Sequence, residues 1–129
     1  MHRDDAFREI ADAAPVMIWI SDRGKGCVWF NRPWLDFTGR ALAQHVGDGW
    51  TEAVHPDDLD RCLRVYGDAF DRRERYHNDY RLRRADGEWR HVEDTGGPRF
   101  SDAGEFLGYV GSCVDVTDQR AAAQALRHK

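Results

Sequence analysis

A chain of 129 residues with 41% hydrophobic and 12% aromatic content is large enough for one hydrophobic core and too small for two. Its formal charge of −4, with both signs interleaved, argues against a nucleic-acid footprint, and no window reaches the ~18–20 apolar residues of a membrane span. The polar start MHRDDAFREI does not read as a signal peptide, and Cys27, Cys62 and Cys113, widely spaced and without a CxxC, fit a reduced, cytoplasmic setting better than a disulfide framework or zinc site.

Residues 4–14 predict a short amphipathic helix. Phe7, Ile10, Ala11 and Ala14 share one face, Asp4 or Asp5 can cap its start, and Pro15 ends it. The runs 16–20 (VMIWI) and 27–30 (CVWF) read as two strands of a hairpin joined through residues 21–26. From Pro33 the period changes, and Trp34, Phe37, Leu42 and Val46 suit short helical turns punctuated by Gly39, Gly47 and Gly49. The clearest helix runs from Pro56 to about Arg72. Proline suits the first helical position, Asp57 and Asp58 meet the positive end of the dipole, and Leu59, Cys62, Leu63, Tyr66, Ala69 and Phe70 form its apolar stripe.

Between Tyr80 and Thr117, the turns at residues 85–87 and 101–104 cut the chain into a three-stranded meander. Tyr80 and Leu82 share one face, with Asp79, Arg81 and Arg83 on the other, and the long apolar last run suits a central strand. A closing helix spans residues 117–128, where Val116, Ala123 and Leu126 make a thin seam. Two N-terminal strands must join three C-terminal ones, because an isolated hairpin is marginal in water. The economical fold is one α+β domain over residues 1–129, with a core at 16–116: a five-stranded antiparallel sheet with helices packed on one face.

Four segments in this order carry a resemblance to a known family: WISDRGKGCVWFNRPWLDFTG (19–39), GWTEAVHPDD (49–58), YRLRRADGEWRHV (80–92) and GYVGSCVDVTDQR (108–120). With them the chain resembles a PAS domain with its PAC-type segment, in the subgroup common in bacterial multidomain signalling proteins. The resemblance implies sheet order 2-1-5-4-3 and flanking terminal helices. It also implies a sensory or regulatory input module, of the sensor histidine kinase or diguanylate cyclase type, linked to a C-terminal effector domain.

What fills the interior follows from the same resemblance. Trp19, Tyr66, Leu82, Val92 and Cys113 are expected to face a cavity that either takes a small organic molecule or is simply filled by these side chains. The flavin-binding members' reactive cysteine has no counterpart in Gly47–Trp50, and the polar positions that grip a flavin would fall near Leu82 and Val92, both apolar. Haem-binding members use a histidine on the long helix. Here His55 only precedes that helix, where a capping role suits it, and no HxH or HExxH spacing suggests another metal. The expected cofactor is none, or an unidentified small molecule.

For output, the resemblance points to Asp115-Val116-Thr117, with an arginine from Arg83-Arg84 expected to pair with Asp115. That pair is either a latch between sheet and helix or a surface ion pair of little consequence. Phe7, Ile10 and Ala14, with Ala123 and Leu126, pack either on their own sheet or on a second copy, and a homodimer is the expectation. Two other classes remain: a ligand-free dimerisation module, and a small cone-shaped enzyme. Against the enzyme, the acids considered (Asp57, Asp58, Asp86, Asp102) lie at turns and helix starts, with no nucleophile–base–orienter set.

Overall fold

A computed structural model describes residues 3–127, with side chains from residue 6 onward. His128, expected to close the last helix, and the candidate caps Asp4 and Asp5 lie outside the described side chains. In chain order the elements are α1 (Arg3–Ala13), β1 (Met17–Ser21), β2 (Cys27–Phe30), α2 (Arg32–Thr38), α3 (Leu42–His45), a 3-10 turn (Gly49–Ala53) and α4 (Pro56–Arg72). Then follow β3 (Tyr76–Arg83), β4 (Trp89–Phe100), β5 (Phe106–Asp115) and α5 (Thr117–Arg127). The strands form one antiparallel sheet in the order β2-β1-β5-β4-β3, as expected for a PAS fold. β5 is central, in keeping with its long apolar run.

Strand alternation puts Trp19, Asn78, Tyr80, Leu82, Val92, Asp94, Tyr109 and Cys113 on the inner face, all buried. α4 closes that face with Cys62, Tyr66, Ala69 and Phe70, while Leu63 of the expected stripe stays 40% exposed. Two devices fix α4 against the sheet. His55 caps it as expected, its Nδ1 accepting from the Asp57 N–H at 3.1 Å. Asp58, read from sequence as a helix-start residue, is buried: it takes the Arg81 guanidinium side-on, with both bonds at 2.9 Å, and accepts the Arg81 backbone N–H as well.

Asn31 joins α1, β1 and α2 at one point. Its side chain donates to the carbonyls of Ala11 and Val16 and accepts from the N–H groups of Ile18 and Trp34. The α1 stripe is covered only in part. Ala11 is buried and Phe7 meets Trp29 at 6.2 Å between centroids, but Ile10 is 72% exposed.

Candidate functional site

Between the inner face and the short helices lies a cavity of about 20 Å³, room for a guest of one or two heavy atoms. Its walls are mostly aromatic: Trp19, Phe30, Trp34, Trp50, Tyr66, Tyr76 and Tyr80. Cys27, Cys62, Asn78 and Asp94 complete the lining.

Two neighbouring rows of the sheet explain how this space is built. In the first, Trp19 on β1 faces Gly111 on β5, Gly111 faces Gly96 on β4, and Gly96 faces Tyr76 on β3. The two glycines leave a trough into which the flanking rings fold. A Cβ on Gly111 would overlap the Trp19 indole, and one on Gly96 would overlap the Tyr76 ring. In the second row Met17, Cys113, Asp94 and Asn78 stand in register, so a carboxylate and an amide lie side by side beneath the rings.

Asp94 is the chemical centre of the cavity. It is buried, and it accepts hydrogen bonds from Trp19 Nε1 at 2.8 Å and from the Tyr80 hydroxyl at 2.9 Å. Burial pushes its carboxyl up to about 6, further than those two donors and the more distant His77 pull it down. No ion pair reaches it among the described residues. Asn78 donates its amide nitrogen to the Cys62 carbonyl at 3.2 Å, which leaves its amide oxygen as a second acceptor. The thiols of Cys27, Cys62 and Cys113 are all raised by burial, Cys62 to about 12, so they stand protonated and unreactive. Trp34 Nε1, a buried donor, and His45 Nδ1, in rings 6.2 Å apart, have no hydrogen-bond partners among the described residues.

Of the expected cavity residues, Trp19 and Tyr66 line it. Leu82, Val92 and Cys113 do not: each is buried in the core around it. Asn78 and Asp94 line the cavity, whereas of the Val92–Tyr80 pair one row away only Tyr80 does, and Cys113, in the Asp94 row, is buried outside the lining. Asp94 was legible in principle, for it shares strand phase with the buried Val92. His55 is not among the lining residues; its ring packs on Trp89 at 4.6 Å. Among the described residues no group of three or more His, Cys, Asp or Glu could hold a metal ion.

A second cluster ties the sheet to α5. Asp115 accepts from Arg90 Nε at 2.8 Å and from the Thr117 N–H and hydroxyl at 3.0 and 2.7 Å. Burial works against ionisation there, but the bonds from Thr117 and Arg90 prevail and hold the carboxyl below its ordinary value. The Thr117 oxygen also accepts the His91 N–H at 2.7 Å, the Val116 N–H donates to the His91 carbonyl, and Arg90 reaches Asp118 at 3.2 Å. This corrects the expected pairing of Asp115 with Arg83 or Arg84. β4 stands between β3 and β5, Arg83 has the outward phase, and Arg84 is engaged at the hairpin turn with Asp86 and Glu88. Arg90, which sequence reasoning passed over, is on the strand adjacent to Asp115. Beyond Thr117, every described residue of α5 is exposed, Ala123 and Leu126 included.

A single antiparallel sheet cupped by short helices around a lined interior, with a helix clamped to its central strand's end, defines an α+β domain with an interior cavity. The chain belongs to the PAS fold family, whose model matches residues 28–113. It is 48% identical over 118 residues to the uncharacterized protein y4lL of Sinorhizobium fredii, a match that covers 92% of this chain and 14% of that protein. It is 29% identical to the two-component sensor PprA of Pseudomonas aeruginosa over 93% of this chain, which is 13% of that sensor's length. Among solved structures, a sensory box histidine kinase/response regulator from Burkholderia thailandensis is similar with TM-score 0.65 and 27% identity, covering 98% of this chain and 93% of that one. The chain is thus homologous to PAS domains of sensor kinases, and it spans a small part of the curated relatives it matches. Among the described residues no helix is long and apolar enough to cross a membrane.

Proposed function

We propose that this chain is a cytoplasmic sensory input module of a multidomain signal-transduction protein, of the sensor histidine kinase or diguanylate cyclase type, without catalytic activity of its own. It reads a small molecule in the aromatic cavity and passes the state of its sheet to a C-terminal effector through Asp115-Val116-Thr117 and α5. The observation that carries this reading is the clamp at the end of β5. One carboxylate is shared between Arg90 of β4 and Thr117, the first residue of α5, so strand and helix cannot shift independently. Cys113, two residues earlier on the same strand, is directly opposite Asp94 of the cavity wall, so the path from cavity to helix is one strand pairing followed by two residues of β5. Arg90 is 11% exposed on its side chain, so the cluster is neither a freely solvated surface pair nor a fully buried one.

The same module acts as a homodimer. Ile10 at 72% and Leu126 at 69% exposure leave apolar faces on both terminal helices, and Phe7, Ile18, Pro98 and Val110 border an open groove on the outer face of the sheet. In the full-length parent, Asp115→Ala is expected to uncouple output from stimulus while the domain stays folded. Normal output from that variant would end the relay reading. Sedimentation of wild type against an Ile10→Glu, Leu126→Glu double variant tests the dimer, which predicts a concentration-dependent mass only in the wild type.

A further inference from the structure

The cavity's acceptors are gathered in one place. Its polar atoms at the Asp94–Asn78 row are acceptors: two carboxylate oxygens, each with one donor and a lone pair to spare, and an amide oxygen left over once the Asn78 nitrogen serves Cys62. The faces above them are rings. Trp19 and Tyr66 meet edge to face at 5.6 Å, and Tyr66 meets Tyr76 at 5.9 Å, so these rings form one connected group in the cavity wall. A buried carboxylate without a counter-charge and a surround of electron-rich rings both favour one kind of guest, a cation carrying N–H donors.

We infer that the cavity is a recognition site for a small protonated amine, the ammonium ion or methylammonium. In this arrangement the guest's N–H groups bond to Asp94 and Asn78 while its charge lies against the faces of the surrounding rings. The size of the space fits: about 20 Å³ admits one or two heavy atoms and no aromatic ligand. The charge balance fits as well. At neutral pH Asp94 is ionised in a site without an ion-pair partner, and an ammonium guest supplies one. The charged and titratable groups nearest that carboxylate would not compete: Cys27, Cys62, Cys113, Tyr66, Tyr76 and Tyr80 all stay neutral at neutral pH. His77, the one basic group acting on Asp94, has the outward phase of β3.

This inference rests on the cavity as the sensing site and names what it would sense. The test is titration of the purified domain with methylammonium chloride, ammonium chloride, potassium chloride, ethanol and sodium acetate at constant ionic strength. Binding is read by calorimetry and by the NMR signal of the Trp19 indole N–H, which donates to Asp94. Saturable binding of methylammonium and ammonium is expected, with roughly tenfold or greater loss in Asp94→Asn and none in Asp79→Asn on the opposite face. Potassium, ethanol and acetate should leave the indole signal in place. Equal binding of ethanol or acetate, or amine binding indifferent to Asp94→Asn, overturns the amine assignment and leaves a small-molecule sensor of another specificity. No binding by any of the five overturns the amine assignment as well, while the proposed function is decided separately by the output of Asp115→Ala in the full-length parent.

Discussion

Replacing Asp94 by Asn should make the domain more stable at neutral pH. The substitution keeps the volume of the side chain and both of its hydrogen bonds: Trp19 Nε1 can still donate to the amide oxygen, while the new NH₂ group donates to the Tyr80 hydroxyl, which reverses its role. What disappears is the buried charge. A carboxyl moved by burial from 3.8 to about 6 favours its neutral form by about 3 kcal/mol, at about 1.36 kcal/mol per tenfold. The folded chain holds this proton more tightly than the unfolded chain, so its contribution to stability is greatest below the unfolded value of 3.8 and is lost as pH rises through about 6. The variant does not titrate there. Urea unfolding followed by tryptophan fluorescence at a series of pH values from 4 to 8 should therefore show Asp94→Asn ahead by about 1–3 kcal/mol above pH 7, with the advantage shrinking towards pH 4. A variant less stable than wild type throughout, or a difference independent of pH, would refute the argument that Asp94 is an uncompensated buried acid.

Other consequences follow from the packing. Gly111→Ala puts a Cβ into the Trp19 indole and should cost about 1–3 kcal/mol, with the Trp19–Asp94 bond broken and its indole NMR signal shifted; an unchanged indole signal would mean that the glycine trough does not position Trp19. Asp58→Ala removes the acid that clamps Arg81 and should cost about 2 kcal/mol at pH 7, allowing for the partly exposed guanidinium. Hydrogen bonds from Arg81 hold Asp58 down to about 2 against burial, so the folded chain releases this proton more readily than the unfolded one. The gap between wild type and Asp58→Ala should be full above pH 4 and close as pH falls towards 2, and an acid-independent gap would contradict the pairing.

The sheet was legible because its signals are local and mutually consistent. The turn glycines, the phase of Tyr80 and Leu82, the proline-led α4 and the long apolar run of β5 each point to the element that forms, and strand count with the family resemblance supplied the order. The site was less legible, because it depends on register, which a single sequence states weakly. A shift of one row separates Val92, expected at the cavity, from Asp94, which is there. Likewise the Asp115 partner depends on which strand lies next to β5. Arg84 is close to the β3–β4 turn in sequence, yet Arg90 stands on the neighbouring strand. The trough made by Gly96 and Gly111 was invisible for the same reason: each glycine reads as a weak strand residue until its opposite ring is known.

The account turns on whether the Arg90–Asp115–Thr117 cluster ties α5 to the sheet. Amide hydrogen exchange of wild type and Asp115→Ala measures this element by element. The account predicts faster exchange in α5 (Thr117–Arg127) of the variant, with β1, β4 and β5 protected as in wild type. Equal exchange in α5, or loosening spread evenly over the whole domain, would contradict it.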